Sequence, residues 1–229
     1  MRAHAPVLRH RRPRPGPELD LLSSALDAGL PTGFPGSPQI LREPELPVGS
    51  PDVVALFPRA SRPPEPRTPL SPSQTRVLHQ LWLSGGVRLS ELARLLHVPP
   101  RRLDGIIQHL TSLDLVWCRG TFVSARALDR IFPLRQIVTV EGKISDWRKG
   151  LDQAESNLWF ASVSYLLLPH RTRLSEPMRA AIDRQVGLLI FDGKRVHRLV
   201  KPRPVEIPRS YGSWLLSEWL IQQRGGAGA

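Results

Sequence analysis

Hydrophobic residues recur along this chain at two different spacings, one typical of helices and one typical of strands. Spacings of three and four residues predict helices over 18–28, 73–83, 91–96, 101–113, 145–161, 177–184 and 211–223. Continuous or alternating apolar runs predict strands over 39–46, 52–57, 136–144, 162–168, 186–191 and 195–200. After residue 136 the two kinds of element alternate, as they do in α/β proteins. We therefore expect an α/β fold.

Residues 73–130 follow a different pattern from the chain on either side. A helix, a short helix, the turn Val98-Pro99-Pro100 and a longer helix precede two short strands around Arg119-Gly120. This order, over LSELARLLHVPPRRLDGIIQHLTSLDLVWCRGTFV, resembles the winged helix-turn-helix family. The resemblance implies that 73–130 is a winged helix-turn-helix domain.

Proline-rich stretches lie on both sides of the first predicted helix and strands. Residues 59–72 are rich in proline and are expected to form a linker to the helical segment. Residues 1–16 combine proline with five arginines, which favours a disordered basic tail. An Arg-rich, acid-poor start is also typical of an organellar transit peptide, so that alternative stays open.

The charge of the chain points to a polyanionic partner. It has 32 Lys and Arg residues against 20 Asp and Glu, a net charge of +12 and a pI near 11.3. Only four of the basic residues are lysine. A GC-rich genome would explain the preference for arginine over lysine, but it does not explain the excess of bases over acids. We expect the partner to be DNA.

The single cysteine and the lengths of the apolar runs indicate the kind of cellular location to expect. Cys118 is the single cysteine, which excludes an internal disulfide and a cysteine-based zinc cluster. A reducing, cytoplasmic location is the simplest match. No apolar run approaches the length of a membrane span, so no membrane association is expected.

Three features in the α/β parts of the chain could carry chemistry. Pro51-Asp52 opens the apolar strand PDVVALF, and Glu141-Gly142-Lys143 ends the apolar strand IVTVEGK. A helix carrying Gln153 follows at once. Residues two apart in a strand share a face, so Glu141 and Lys143 should point the same way and Gly142 the opposite way.

This arrangement resembles the PD-(D/E)XK nucleases. The resemblance implies a restriction-endonuclease-like core, a mixed sheet flanked by helices, built from 17–58 and 131–224 with the winged helix-turn-helix inserted between them. It also implies a Mg²⁺ (or Mn²⁺) ion held by Asp52, Glu141 and the Gly142 carbonyl, since hard cations prefer oxygen ligands. Lys143 would then hold or activate the attacking water.

Two more residues enter as candidates by the same resemblance. Glu18 on the first helix would be a further acidic ligand or orienting group, and Gln153 would touch the site or the substrate backbone. Each also has a purely structural interpretation: Glu18 as a first-turn acid favoured by the helix dipole, and Gln153 as a solvent-exposed side chain. In addition, 89 positions separate Asp52 from Glu141, more than the family's usual few tens. Glu43 and Glu45 are therefore kept as substitutes for Asp52.

The helical segment has its own candidates for binding DNA. Arg101, Arg102 and Gln108 lie on or before the expected recognition helix, and Arg119 lies at the tip of the two-stranded wing. Winged helices also serve as protein-interaction or dimerisation modules, so this role remains an alternative for the segment.

The sequence thus predicts a metal-dependent DNA endonuclease, with a winged helix-turn-helix to position the DNA. A homodimer or a larger nucleoprotein complex is compatible with this prediction. The alternative is a non-enzymatic DNA-binding regulator or assembly factor of a mobile-element or defence complex, built on a nuclease-like core. A third interpretation, a structural adaptor in such a complex, would bury the winged helix against protein.

Overall fold

The structure is a computed structural model that describes residues 9–31, 37–47, 49–59, 67–170, 173–208 and 210–226. Its elements are, in order, α1 Pro17–Asp27, β1 Gln39–Arg42, β2 Val53–Pro58, α2 Pro72–Ser84, β3 Val87–Arg88, α3 Leu89–Leu96, α4 Pro100–Ser112, β4 Val116–Arg119, β5 Phe122–Ala125, α5 Leu128–Ile131, β6 Leu134–Gly142, α6 Trp147–Asn157, β7 Val163–Pro169, α7 Ser175–Asp183, β8 Gly187–Phe191, β9 Val196–Val200 and α8 Tyr211–Gly226. The expected α/β class is confirmed. None of the described helices is long and apolar enough to cross a membrane.

The chain divides into two compact units. Among the described residues, a core unit is formed by 9–58 together with Arg135–Ser213, and a helical unit by Arg59–Leu134 together with 214–226. Within the helical unit, the backbone N–H of Arg59 donates a 2.8 Å hydrogen bond to the carbonyl of Pro133. The segment between the two core sequences therefore begins and ends at adjacent points.

The core unit is built on one mixed sheet of six strands in the order β1-β2-β6-β7-β8-β9. Strands β6, β7 and β8 are parallel, while β1 pairs antiparallel with β2 and β9 pairs antiparallel with β8. Helices cover both faces: the crossover helices α6 and α7 lie on one face, and α1 lies on the other. This burial on two sides explains why β2, β7 and β8 are almost continuously apolar.

Each face of the sheet has its own apolar layer. Leu21, Leu22 and Ala25 of α1 pack on one face against side chains of β2, β6 and β7. Leu151 and Ala154 of α6 pack on the opposite face, together with residues of β7, β8 and α7. Glu141 and Lys143 follow the strand alternation onto the α6 side, whereas Val138 and Val140 face α1.

The helical unit contains α2, α3 and α4 and a second sheet of three strands in the order β3-β5-β4. Helix α2 starts one residue before the predicted range, since the Ser71 side chain and Gln74 form a reciprocal capping box with Pro72 in the first turn. Helices, hairpin and their order match the sequence-predicted elements. The third strand, β3, is a two-residue pairing too short to show in a hydropathy pattern.

The last helix corrects the predicted domain boundary at 131–224. From Trp214 onward the chain belongs to the helical unit, where the Trp214 ring lies 5.3 Å from Phe132 and 6.1 Å from Trp82 between centroids. Arg67 and Glu218 form a buried, bidentate ion pair in the same unit. The reason is tertiary: α8 is apolar enough to be buried, and its sequence does not specify which surface covers it.

The predicted disordered tail at 1–16 also needs correction in part. The N–H of Arg11 donates to the Glu43 carbonyl at 2.9 Å, and the N–H of Glu45 donates to the Arg9 carbonyl at 2.8 Å. Residues 9–11 are thus fixed beside the end of β1 by backbone hydrogen bonds, which any sequence can make. Residues 1–8 lie outside the described residues.

Candidate functional site

The carboxyl end of β6 brings together most of the predicted site residues. Asp52, immediately before β2, lies beside Gly142 at the end of β6, because these two strands are neighbours in the sheet. Its Oδ2 accepts a 2.8 Å hydrogen bond from the backbone N–H of Gly142. The long separation along the sequence is therefore bridged by strand pairing.

Gly142 is required by the close approach of α1. A Cβ added at this position would lie 2.6 Å from Cγ of Leu22, which is too short for any real contact. The residue faces α1, on the opposite side of the strand from Glu141 and Lys143. The absence of a side chain therefore lets α1 pack directly over the strand end that carries the acidic and basic groups.

Lys143 lies at the centre of the cluster although its side chain is largely buried. Its Nζ donates to the Gly142 carbonyl at 3.0 Å and lies 3.9 Å from Oδ2 of Asp52. It also lies 3.6 Å from Oε2 of Glu18, whose side chain is half exposed at the start of α1. On α6, Gly150 leaves room for the lysine stem, since a Cβ there would lie 2.5 Å from Cγ of Lys143.

Glu141 is the most buried acid of the cluster, with 1% of its surface exposed. The pKa of Glu141 is raised to about 8, chiefly by burial and next by repulsion from the Asp52 charge. The Asn157 amide and the Lys143 charge lower it in part. At neutral pH Glu141 therefore holds a proton unless another positive charge is supplied.

Asn157 is a site residue that the sequence analysis missed. Its Nδ2 donates a 2.7 Å hydrogen bond to Oε1 of Glu141, while Oε2 of Glu141 accepts none from the described residues. Asn157 comes three residues after the buried Ala154, which places it on the inward face of α6. A polar residue on an otherwise apolar helical stripe was the available signal.

Gln153 lies one turn earlier on the same helix and is half buried. Its Oε1 is enclosed without a hydrogen-bond partner among the described residues, and no described hydrogen bond joins it to Glu141. Glu43, kept as a substitute for Asp52, contacts that residue through the backbone, its N–H donating to the Asp52 carbonyl at 2.9 Å. Glu45 is exposed. Asp52 is thus the acid that reaches the end of β6.

The cluster offers oxygen atoms suited to a hard cation. The carboxyl groups of Asp52 and Glu141 and the Gly142 carbonyl converge there, and no described residue donates a hydrogen bond to the buried Oε2 of Glu141. Across the described residues, no three side chains of His, Cys, Asp or Glu are grouped so that they alone could hold a metal ion. A backbone oxygen would therefore be needed to complete a protein ligand set of three.

The DNA-binding candidates lie on the surface of the helical unit. Arg101 and Arg102 occupy the first turn of α4 and Gln108 lies two turns later, all three exposed while Leu103 and Ile107 face inward. Arg119 is exposed at the end of β4, beside Gly120, whose φ of +59° forms the tight turn to β5. The arrangement presents guanidinium groups on one helix end and at the hairpin turn.

No protein-family model, curated protein or solved structure matches this chain. What the site does is therefore inferred from its own residues and geometry.

Proposed function

We propose that this protein is a metal-dependent DNA endonuclease of the PD-(D/E)XK type, which hydrolyses phosphodiester bonds at the end of β6. The observation that carries the proposal is the convergence of Asp52, Glu141 and Lys143 across the pairing of two strands. Charged residues scattered on a surface would not place two acids and a lysine around one buried strand end. The mixed sheet flanked by helices agrees with the core that the resemblance implies.

A Mg²⁺ or Mn²⁺ ion fits the cluster for a physical reason. Burial and the neighbouring Asp52 charge raise the pKa of Glu141, and a cation at the cluster would favour the ionised form of this carboxyl. Asp52, Glu141 and the Gly142 carbonyl would hold the ion. When bound, a divalent cation supplies charge neutralisation for the phosphoryl group under attack.

The protein residues would divide the remaining work. Asn157 holds one oxygen of Glu141, so that the second oxygen stays directed away from that bond. Lys143 places a positive charge within 4 Å of Asp52 and would orient a water or stabilise the charge that develops on the phosphate. Glu18 limits the freedom of the Lys143 amine from the α1 side.

The helical unit would supply DNA binding. Its helix order and three-stranded sheet support a winged helix-turn-helix, in which α4 enters a groove through Arg101, Arg102 and Gln108. Arg119 at the hairpin turn would contact the phosphate backbone. A chain with net charge +12 gains affinity from such contacts by releasing counterions, so binding should weaken steeply as salt rises.

The test is incubation of the full chain with plasmid and linear DNA, with Mg²⁺, with Mn²⁺ and with chelator. Cleavage should need the metal and should disappear in Asp52→Asn, Glu141→Gln and Lys143→Met. Matched controls are Asp183→Asn and Lys194→Met, which change exposed residues of α7 and the β8–β9 turn. Full activity in Lys143→Met or in excess chelator would rule out the proposed site.

A second candidate is a DNA-binding protein whose nuclease-like core is inactive. It is favoured by one observation: the Lys143 amine already donates to the Gly142 carbonyl and lies near two acids, which is an internally neutralised arrangement. This candidate predicts salt-dependent DNA binding that is identical in chelator and in Mg²⁺, with no cleavage. Regulators and assembly factors of mobile-element or defence complexes belong to this class.

A further inference from the structure

The three-stranded sheet of the helical unit carries two exposed aromatic rings on one face. The rings of Trp117 and Phe122 lie 5.7 Å apart between centroids with an angle of 43° between their planes. They occupy diagonal positions of paired strands, since Trp117 is opposite Ser124 and Phe122 is opposite Arg119. Their exposed fractions are 38% and 36%. The pair therefore forms an apolar surface that is open to solvent.

Arginines flank this aromatic pair in register. Phe122 on the middle strand β5 lies opposite Arg119 of β4 on one side and opposite Arg88 of β3 on the other. Residues directly opposite in a sheet project to the same face. Both arginines are exposed, and the three strands contain no acidic residue. The three strands thus give this surface stacking area and positive charge and contribute no negative charge to it.

The position of the Phe122 ring is set by the backbone beneath it. A Cβ on Gly86 would lie 2.6 Å from Cζ of Phe122, so the ring rests directly on the glycine. Gly86 has a φ of +111°, which a residue with a side chain rarely adopts. Val116 and Val123 fill the opposite, buried face of the hairpin. The two rings therefore lie on the face of the hairpin opposite its buried valines.

We infer that this aromatic face, Trp117 and Phe122 with Arg88 and Arg119, binds unpaired bases of DNA. This inference rests on the proposed function and adds to it the substrate class, DNA with a single-stranded segment. Bases in a duplex are stacked on one another and present only their edges, whereas unpaired bases expose flat faces that stack on aromatic rings. The flanking guanidinium groups suit the phosphates between such bases.

The experiment measures binding of the full chain to three labelled DNAs by fluorescence anisotropy, in chelator so that nothing is cleaved. The probes are a single-stranded oligonucleotide, the duplex of the same sequence and a duplex with a single-stranded overhang. Trp117→Leu and Phe122→Leu keep apolar volume but remove the ring, and Trp117→Phe restores an aromatic face. The matched control is Trp159→Leu, which changes a 64% exposed Trp of the core unit.

Each Leu variant should lose about fivefold or more in affinity for the single strand and the overhang. Affinity for the blunt duplex should change less than twofold, and Trp117→Phe should recover most of the loss. Equal losses on all three DNAs, no loss at all, or a loss in Trp117→Phe as large as in Trp117→Leu would overturn the inference. Stronger binding of an RNA strand of the same sequence would overturn the assignment to DNA.

The two proposals fail in different ways. Metal-dependent cleavage with unaffected binding in the Leu variants would leave the nuclease standing and remove the aromatic face as its contact. Ring-dependent binding of single strands without cleavage of any DNA would support the aromatic face as a binding surface and would rule out the nuclease. Thermal melting of each variant, followed by circular dichroism, distinguishes a loss of affinity from a loss of folded structure.

Discussion

Asn157 donates its side-chain amide to Oε1 of Glu141 at 2.7 Å, beneath the surface of the core unit. The bond joins the last turn of α6 to the end of β6, so the crossover helix that makes the strands parallel also orients the buried acid. It acts against burial and against Asp52, both of which favour the protonated form of Glu141. The protonation of one carboxyl is thereby tied to the packing of one helix.

Replacing Asn157 should shift the pH dependence of metal binding. Asn157→Leu removes the donor that stabilises the ionised carboxylate, so the pKa of Glu141 should rise above its present value. A hydrogen bond to a charged group is worth about 1.5–3 kcal/mol, which corresponds to roughly one to two pH units. Calorimetric titration of Mn²⁺ between pH 6 and 9 should show that affinity rises with pH. In Asn157→Leu the same rise should occur at a higher pH than in the parent protein. Asn157→Gln tests whether a longer amide restores the profile, and superimposable profiles in all three proteins would contradict the assigned role.

Glu141→Gln should stabilise the metal-free protein at alkaline pH. A buried acid whose pKa is raised from 4.5 to about 8 binds its proton more tightly when folded, so stability falls as pH rises through that window. The neutral glutamine avoids this loss, which amounts to about 1.4 kcal/mol per pH unit at most. Urea unfolding in chelator should show the variant's advantage growing between pH 5.5 and pH 8. An advantage that stays constant with pH would mean that Glu141 titrates normally.

Gly142→Ala should destabilise the core unit through a steric clash with α1. The added methyl would lie 2.6 Å from Leu22, and overpacking of this kind costs about 1–3 kcal/mol. The double variant Gly142→Ala with Leu22→Ala makes room for the methyl and should recover part of that loss beyond the cost of Leu22→Ala alone. A double-mutant cycle from thermal unfolding measures the coupling. Additive losses would show that the clash is relieved by some other movement.

Breaking the Arg67–Glu218 pair should lower the free energy of unfolding more than breaking an exposed ion pair does. Both side chains are nearly inaccessible, and Glu218 also accepts from the backbone N–H of Leu70 at 2.8 Å. Removing one partner with Glu218→Ala leaves a buried guanidinium unpaired, at a cost of about 3–5 kcal/mol. Glu176→Ala breaks the exposed pair with Arg148 and should cost less than about 1 kcal/mol. Comparable losses in the two variants, measured by urea unfolding, would contradict the assigned burial.

The sequence by itself determined the elements and their order. Apolar spacing depends on which side of one helix or strand faces the interior, and that information is local. It located every described helix except α5, every described strand except β3, and the hairpin around Gly120, and it placed Glu141 and Lys143 on one face of a strand. It also marked Asp52, Glu18 and the exposed arginines as candidates, each weak in isolation.

Only the tertiary structure decided which of these residues meet. Asp52 reaches Gly142 across 90 positions because β2 and β6 are adjacent, and sheet order is fixed by the packing of the whole core unit. The same packing buries Glu141 and raises its pKa, brings Asn157 to it, and assigns α8 to the helical unit, where Glu218 meets Arg67. Local spacing carries no distance between elements. The strengths of ion pairs and hydrogen bonds depend on those distances. The chemistry of the site could therefore not be predicted from the hydrophobic pattern that predicted its strands.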